Sequence, residues 1–182
     1  MKTLLFATGN DRKFKEALAG CEGYDIKIEQ VKVDIDEIQS HDPIKISLNK
    51  AKSVYEILKK PVVISDTSWK IPALNNFPGG YMKDVAEWFT PEDFLNLIKD
   101  KEDKRVCFTE TLVYQDEKET KMFTKEFWGI FSDTPKGSGL SIEQVAKFNG
   151  STIGERRDEG KLSHDPKDYI WIELAKWFSD YK

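Results

Sequence analysis

Sulfur and imidazole are scarce in this chain, whose 182 residues include two cysteines and two histidines. Cys21 and Cys107 are far apart, with no Cys or His at metal-ligand spacing. This argues against a disulfide framework and a zinc site and leaves both thiols as packing or surface groups. No apolar run approaches the roughly 20 residues needed to span a bilayer. Met1-Lys2-Thr3 runs straight into a strand-like segment, without the features of a secretory leader, so the cytoplasm is the expected setting. There is no repeat or low-complexity tract. Nor is there an excess of positive charge: 28 basic residues face 32 acidic ones, for a net charge of −4 with the signs interspersed. A broad nucleic-acid-binding face is thereby excluded, whereas a charged small molecule fits if positive groups gather locally.

At 39% hydrophobic and 33% charged, the composition is that of a globular protein. The length suits a single domain over 1–182, with room for two lobes, able to fold without metals or disulfides.

The first sixteen residues are the most informative. The apolar run Leu4-Leu5-Phe6-Ala7 breaks into Thr8-Gly9-Asn10 and is followed by a charged helical stretch containing Lys13 and Glu16. A buried strand that ends at a polar, glycine-containing turn before a helix aims unsatisfied N–H groups and the positive end of the helix dipole at one point, and Lys13 adds a full charge. The same residues also suit an ordinary loop with Asn10 as N-cap.

Further along, Ile26–Ile35 alternates as a second strand, and Pro43 opens a helix whose apolar stripe is Ile44, Leu48, Ala51, Tyr55 and Leu58. Pro61-Val62-Val63-Ile64-Ser65 reads as a short buried strand ending at Asp66, and Thr67–Tyr81 as an ordered surface loop. Thr90-Pro91-Glu92-Asp93 starts a helix, and Val106–Tyr114 and Lys121–Phe131 form a long hairpin. Ser141 and Gln144 have the spacing of a capping box, and Pro166 begins a last helix with Ile170, Leu174, Trp177, Phe178 and Tyr181 inside.

Asp34, Asp36 and Glu37 follow the second strand and Asp66 follows the third, so in an α/β sheet they can converge with Thr8–Lys13 at the carboxyl ends of neighbouring strands. Carboxylates facing a phosphate cradle require a cation. Mg²⁺ suits, because it binds through one or two carboxylates plus phosphate oxygens, and a remaining carboxylate can take a proton from an attacking water. Taken singly, Asp34–Glu37 also reads as a solvated turn, Lys50 as a solvated charge and His164 as a structural or surface group. The five tryptophans, Trp69, Trp88, Trp128, Trp171 and Trp177, suit core or dimer contacts better than base stacking.

Six segments in order carry a family resemblance: Thr8-Gly9-Asn10-x-x-Lys13-x-x-Glu16, Asp34-Ile35-Asp36-Glu37-Ile38-Gln39, Ile46-Ser47-Leu48-Asn49-Lys50-Ala51, Val63-Ile64-Ser65-Asp66-Thr67, Phe77-Pro78-Gly79-Gly80-Tyr81-Met82-Lys83, and Ser163-His164. The chain resembles, over nearly its whole length, the inosine/xanthosine triphosphate pyrophosphatases, which cleave deaminated purine nucleoside triphosphates to monophosphate and pyrophosphate. The resemblance implies a mixed α/β fold with an elongated central mixed β-sheet flanked by helices, two lobes around a cleft, and a homodimer. It implies that Thr8, Gly9, Asn10 and Lys13 hold the triphosphate, that Glu37 and Asp66 bind Mg²⁺, and that Asp66 is the general base. Thr67 would touch substrate, Lys50 and Lys83 would face the phosphates, and Ser163 and His164 would lie at the base.

The departures lie mostly on the base side. The family's nucleobase loop is replaced by Gly137-Ser138-Gly139-Leu140-Ser141-Ile142-Glu143, in which Ser141 reads as a helix cap. A Ser-His-Arg motif has become Ser163-His164-Asp165, exchanging a donor fork for an acceptor, and the lysine expected four residues before Ser163 is Glu159, with Lys161 able to substitute. The acid that most members carry before the catalytic Asp is Ser65. The expectation is a Mg²⁺-dependent nucleoside triphosphate pyrophosphatase with altered or relaxed base preference. Rivals are a Maf-like activity on other modified nucleotides and a nucleotide-binding homologue without turnover.

Overall fold

The computed structural model describes residues 2–161 and 165–181. In chain order the elements are β1 (Lys2–Ala7), α1 (Asp11–Gly20), β2 (Ile26–Val31), α2 (Pro43–Leu58), β3 (Val62–Ile71), β4 (Phe77–Gly79), α3 (Met82–Trp88), α4 (Pro91–Ile98), β5 (Arg105–Gln115), β6 (Thr120–Phe131), β7 (Ala146–Phe148), β8 (Ser151–Thr152), α5 (Ile153–Asp158) and α6 (Trp171–Asp180). The fold is mixed α/β. Its sheet runs β2-β1-β3-β5-β6-β7-β8, with β4 paired to β3. Two compact units are present: Met1–Thr67 with Glu110–Lys125 and Asp165–Lys182, and Ser68–Thr109 with Glu126–His164.

In the first unit, β1 lies between two parallel neighbours, with Leu4 opposite Ile28 and Phe6 opposite Val63. The two-residue period of a strand sends Leu5 and Ala7 to one face, against a core of Ala51, Val54, Val62, Ile64 and Val113. Phe6 faces the other way, its ring centroid 4.7 Å from that of Trp171 on α6. Tyr114 of β5 sits 5.0 Å from Trp177. Helix α1 approaches α6 so closely that a Cβ on Gly20 would lie 2.5 Å from Trp171 Cβ, so only glycine fits there.

In the second unit, the end of β3 pairs antiparallel with β4, and β6 with β7 and β7 with β8 likewise. Trp69, Ile71, Phe94, Phe108, Ile142 and Phe148 belong to its core. Helix α4 starts as expected: Thr90 Oγ1 accepts from Asp93 N at 3.2 Å and Asp93 Oδ2 accepts from Thr90 N at 2.8 Å. Among the described residues, no helix is long and apolar enough to cross a membrane.

Several expected boundaries are corrected. The second strand ends at Val31; Val33 and Ile35 still pack on the core, but from a segment without regular structure. Thr67–Tyr81 is not all loop. Strand β3 continues to Ile71 because Trp69 and Ile71 have an apolar core to enter, and β4 pairs with it. The turn Pro166–Asp168 is 3-10, and α6 begins only at Trp171. Trp69 and Trp171 are buried, but Trp88 and Trp128 are exposed. Ser141 does not cap a helix: it is the first residue of a 3-10 turn, its Oγ is buried without a hydrogen-bond partner, and Glu143 Oε2 accepts from Leu140 N at 3.0 Å instead.

Candidate active site

The turn after β1 is held from several sides. Thr8 N donates to Val31 O at 3.0 Å, Gln30 Nε2 donates to Thr8 O at 3.1 Å, and Asn10 N donates to Thr8 Oγ1 at 3.1 Å. Asn10 Oδ1 accepts from Arg12 N at 2.9 Å and Lys13 N at 3.3 Å, so Asn10 is the N-cap of α1. Gly9 is not required by the turn: its φ lies outside the left-handed region, and a Cβ there would meet nothing within 4 Å. What glycine leaves is open space beside the positive end of α1. Lys13 reaches across, its Nζ donating to Ser65 O at 3.1 Å.

The acids converge on one lysine. Lys50 Nζ lies 2.6 Å from Glu37 Oε1 and 2.8 Å from Asp66 Oδ1, and Ser47 Oγ donates to Asp66 Oδ2 at 2.9 Å. The alternation of β3 explains the reach, since Val62 and Ile64 face α2 and Asp66 is next in that series. The buried line of α2 runs through Ser47, Ala51 and Val54, rotated from the stripe expected in the sequence, and Ile44 is 42% exposed. That rotation turns Ser47 and Lys50, three residues apart, toward the end of β3.

Burial lowers Lys13 below the usual lysine range, only partly offset by Asp66, and nearby Lys50 lowers it further. Burial would lower Lys50 as well, but the charge and hydrogen bond of Asp66, joined by Glu37, outweigh it and leave Lys50 raised. Lys50 is therefore a full cation between two carboxylates. Among the described residues, no three His, Cys, Asp or Glu side chains form a ready metal group. Glu37 and Asp66 nevertheless fit Mg²⁺: both are oxygen donors, both reach one cation, and Mg²⁺ takes its remaining ligands from water and phosphate.

The remaining expected residues lie on several elements. Thr67 follows Asp66 on β3 and is exposed, while Asp34 and Asp36 lie in the segment beyond β2. Lys83 is exposed on α3 of the second unit. Lys161 is also exposed and its Nζ pairs with Glu159 Oε2 at 2.6 Å. Ser163 and His164 lie outside the described residues. Asp165 caps the 3-10 turn, its Oδ1 accepting from Lys167 N at 3.1 Å.

Two residues escaped the sequence reading. Ser47, given no role although it lies in the Ile46–Ala51 family segment, is 1% exposed, and its further sequence signal is a polar group one helical turn before Lys50. Glu110 interrupts the apolar run of β5, on the Leu112 and Tyr114 face. Burial, and then Glu16, pushes its carboxyl up to about 7, against the opposing charges of Lys13, Arg12 and Lys125. A lone carboxylate in such a run is visible in a sequence, but its meaning depends on what packs above it.

Comparison with known proteins gives a consistent answer. The sequence pattern of the Ham1 family matches residues 4–164. Inosine triphosphate pyrophosphatase 2 of Trypanosoma cruzi is 32% identical over 176 residues, covering 94% of this chain and 89% of that protein. The dITP/XTP pyrophosphatase of Methanopyrus kandleri is 30% identical over 181 residues, covering 97% and 96%. The Ham1 protein structure from Coxiella burnetii superposes with a TM-score of 0.82 at 17% identity, covering 99% of this chain and 100% of that one, which shows the shared fold.

Proposed function

Because this chain belongs to the Ham1 family, we propose that it is a Mg²⁺-dependent nucleoside triphosphate pyrophosphatase that hydrolyses non-standard nucleoside triphosphates to monophosphate and pyrophosphate. The names of its relatives supply the substrate class: inosine triphosphate in one case, dITP and XTP in the other. The observation that carries the reading is the convergence of Glu37 and Asp66 on a single cation, with Lys13 of α1 donating to Ser65 O, one residue before Asp66 on β3.

In this mechanism Lys13 and Lys50 hold phosphate oxygens, and the open space at Gly9 lets the chain approach the end of α1. Asp66, oriented by Ser47, takes the proton from the water that attacks the α-phosphorus. The new O–P bond forms as the bridging bond to the β-phosphate breaks, and pyrophosphate leaves. Glu37 and Asp66 would hold Mg²⁺, which supplies charge neutralisation to the phosphates when bound.

The base preference belongs to the same proposal. Lys161 is engaged by Glu159, and Asp165 stands where the family pattern has an arginine, so the donors that would read a purine carbonyl are weakened and selectivity relaxes. The family resemblance further implies a homodimer in the cytoplasm, and light scattering should return twice the chain mass.

The deciding assay follows pyrophosphate release from ITP, XTP, dITP, GTP, ATP and pyrimidine triphosphates, with Mg²⁺ and with chelator, for the wild type and Asp66→Asn. Expected are Mg²⁺-dependent release across several bases and near-complete loss in the variant, with triphosphate still bound. Release unaffected by Asp66→Asn would overturn the mechanism, and strict preference for ITP and XTP would overturn the relaxed selectivity.

A further inference from the structure

A divalent ion shared by Glu37 and Asp66 would need the oxygens that Lys50 now holds. Its ammonium sits 2.6 Å from Glu37 Oε1 and 2.8 Å from Asp66 Oδ1. The other Asp66 oxygen accepts from Ser47 Oγ at 2.9 Å, so both oxygens of this carboxylate are engaged from α2. An ammonium is donor only, and lone pairs aimed at its protons are not aimed at a metal. The ammonium and the ion are therefore competitors for one position.

The two donors on α2 differ in mobility. Ser47 is 1% exposed and its hydroxyl sits on a single rotatable bond, so its contact with Asp66 is fixed. Lys50 carries its charge on a flexible four-carbon stem and can withdraw without moving the helix. An ammonium that swings away carries its charge with it, available to another anion nearby.

We propose that Lys50 is an exchangeable internal counter-ion of the Glu37–Asp66 pair: an arriving divalent ion displaces its ammonium from both carboxylates and frees it for the phosphates, while Ser47 keeps Asp66 in place. This rests on the metal-dependent reading of the site. It couples two events, since the lysine becomes available to the substrate only when the ion has taken its place.

The test is a calorimetric titration of the full chain with Mg²⁺ alone, without nucleotide. Lys50→Met should bind Mg²⁺ about tenfold more tightly than the wild type, because a competing charge is gone, even though its pyrophosphate release falls. Lys50→Arg, which keeps the charge, should not show this gain. Equal or weaker binding by Lys50→Met overturns the exchange. A second readout does not depend on any variant folding: in the wild type, brief acetylation with acetic anhydride and mass spectrometry should show Lys50 more reactive at saturating Mg²⁺, with Lys83 as an exposed reference. Unchanged Lys50 labelling also overturns it. If neither protein binds Mg²⁺ alone, the exchange falls, and Mg²⁺-dependent pyrophosphate release then decides separately whether the metal-dependent reading falls with it.

Discussion

Lys13 Nζ donates to the main-chain oxygen of Ser65 at 3.1 Å, tying the first turn of α1 to the peptide immediately before Asp66. The contact uses backbone, not the Ser65 side chain. The replacement of the acid expected at position 65 therefore leaves the placement of Lys13 intact.

Lys13→Met should accordingly weaken triphosphate binding more than it slows chemistry. A charged donor to phosphate is worth several kcal/mol in a partly dry site, so kcat/KM should fall about a hundredfold, mostly through KM. Steady-state kinetics with ITP measure this, and an unchanged KM would remove Lys13 from the phosphate site.

Ser47→Ala should act in the opposite sense. Losing the hydroxyl frees one Asp66 oxygen to rotate, and misorienting a general base costs about tenfold in kcat. KM should stay within about twofold, because Ser47 is buried and its hydroxyl is spent on Asp66, and Ser47→Thr should recover part of the loss. A fall in KM-dependent binding alone would contradict the positioning role.

Glu110 gives a pH-dependent stability. Its folded carboxyl is raised to about 7 by burial and by Glu16, above its unfolded value, so the fold prefers the protonated form. Its contribution is intact below about pH 4 and is lost as pH rises through about 7. Glu110→Gln mimics the neutral form and should stabilise the protein above pH 7 by on the order of 3 kcal/mol, with the gain vanishing toward about pH 4. Urea unfolding at the two ends of the range decides, and an equal gain at both would show that burial of this charge is not the cause.

Glu159→Lys tests the base side. It restores a lysine at the position where the family pattern expects one and removes the carboxylate now paired with Lys161. The ratio of kcat/KM for ITP over ATP should rise by about tenfold. No change in that ratio would mean that this position does not read the base.

Legibility in the sequence followed the range of the interactions. The cap of α4 could be read because Thr90 and Asp93 satisfy each other within one turn. Helix α2 was equally legible in extent, from Pro43 to Leu58, but not in rotation. The apolar stripe through Ile44 and Leu48 competes with the line through Ser47, Ala51 and Val54, and the second was selected by the strand beneath. The reach of β3 past Asp66 was hidden for the same reason: Trp69 and Ile71 sit among turn-forming residues and become strand only with a core to fill.

The sequence by itself determined β1 and the turn after it, α1, α2 and the long hairpin, and named the candidate acids and lysines, because these depend on residue type and spacing along one chain. Tertiary structure alone decided that Lys50 stands between Glu37 and Asp66, that Ser47 holds the second Asp66 oxygen, and that half-buried Glu110 feels the charge of Glu16. Such outcomes depend on which face of a helix is pressed against which strand, and that choice is made by packing between segments far apart in the chain.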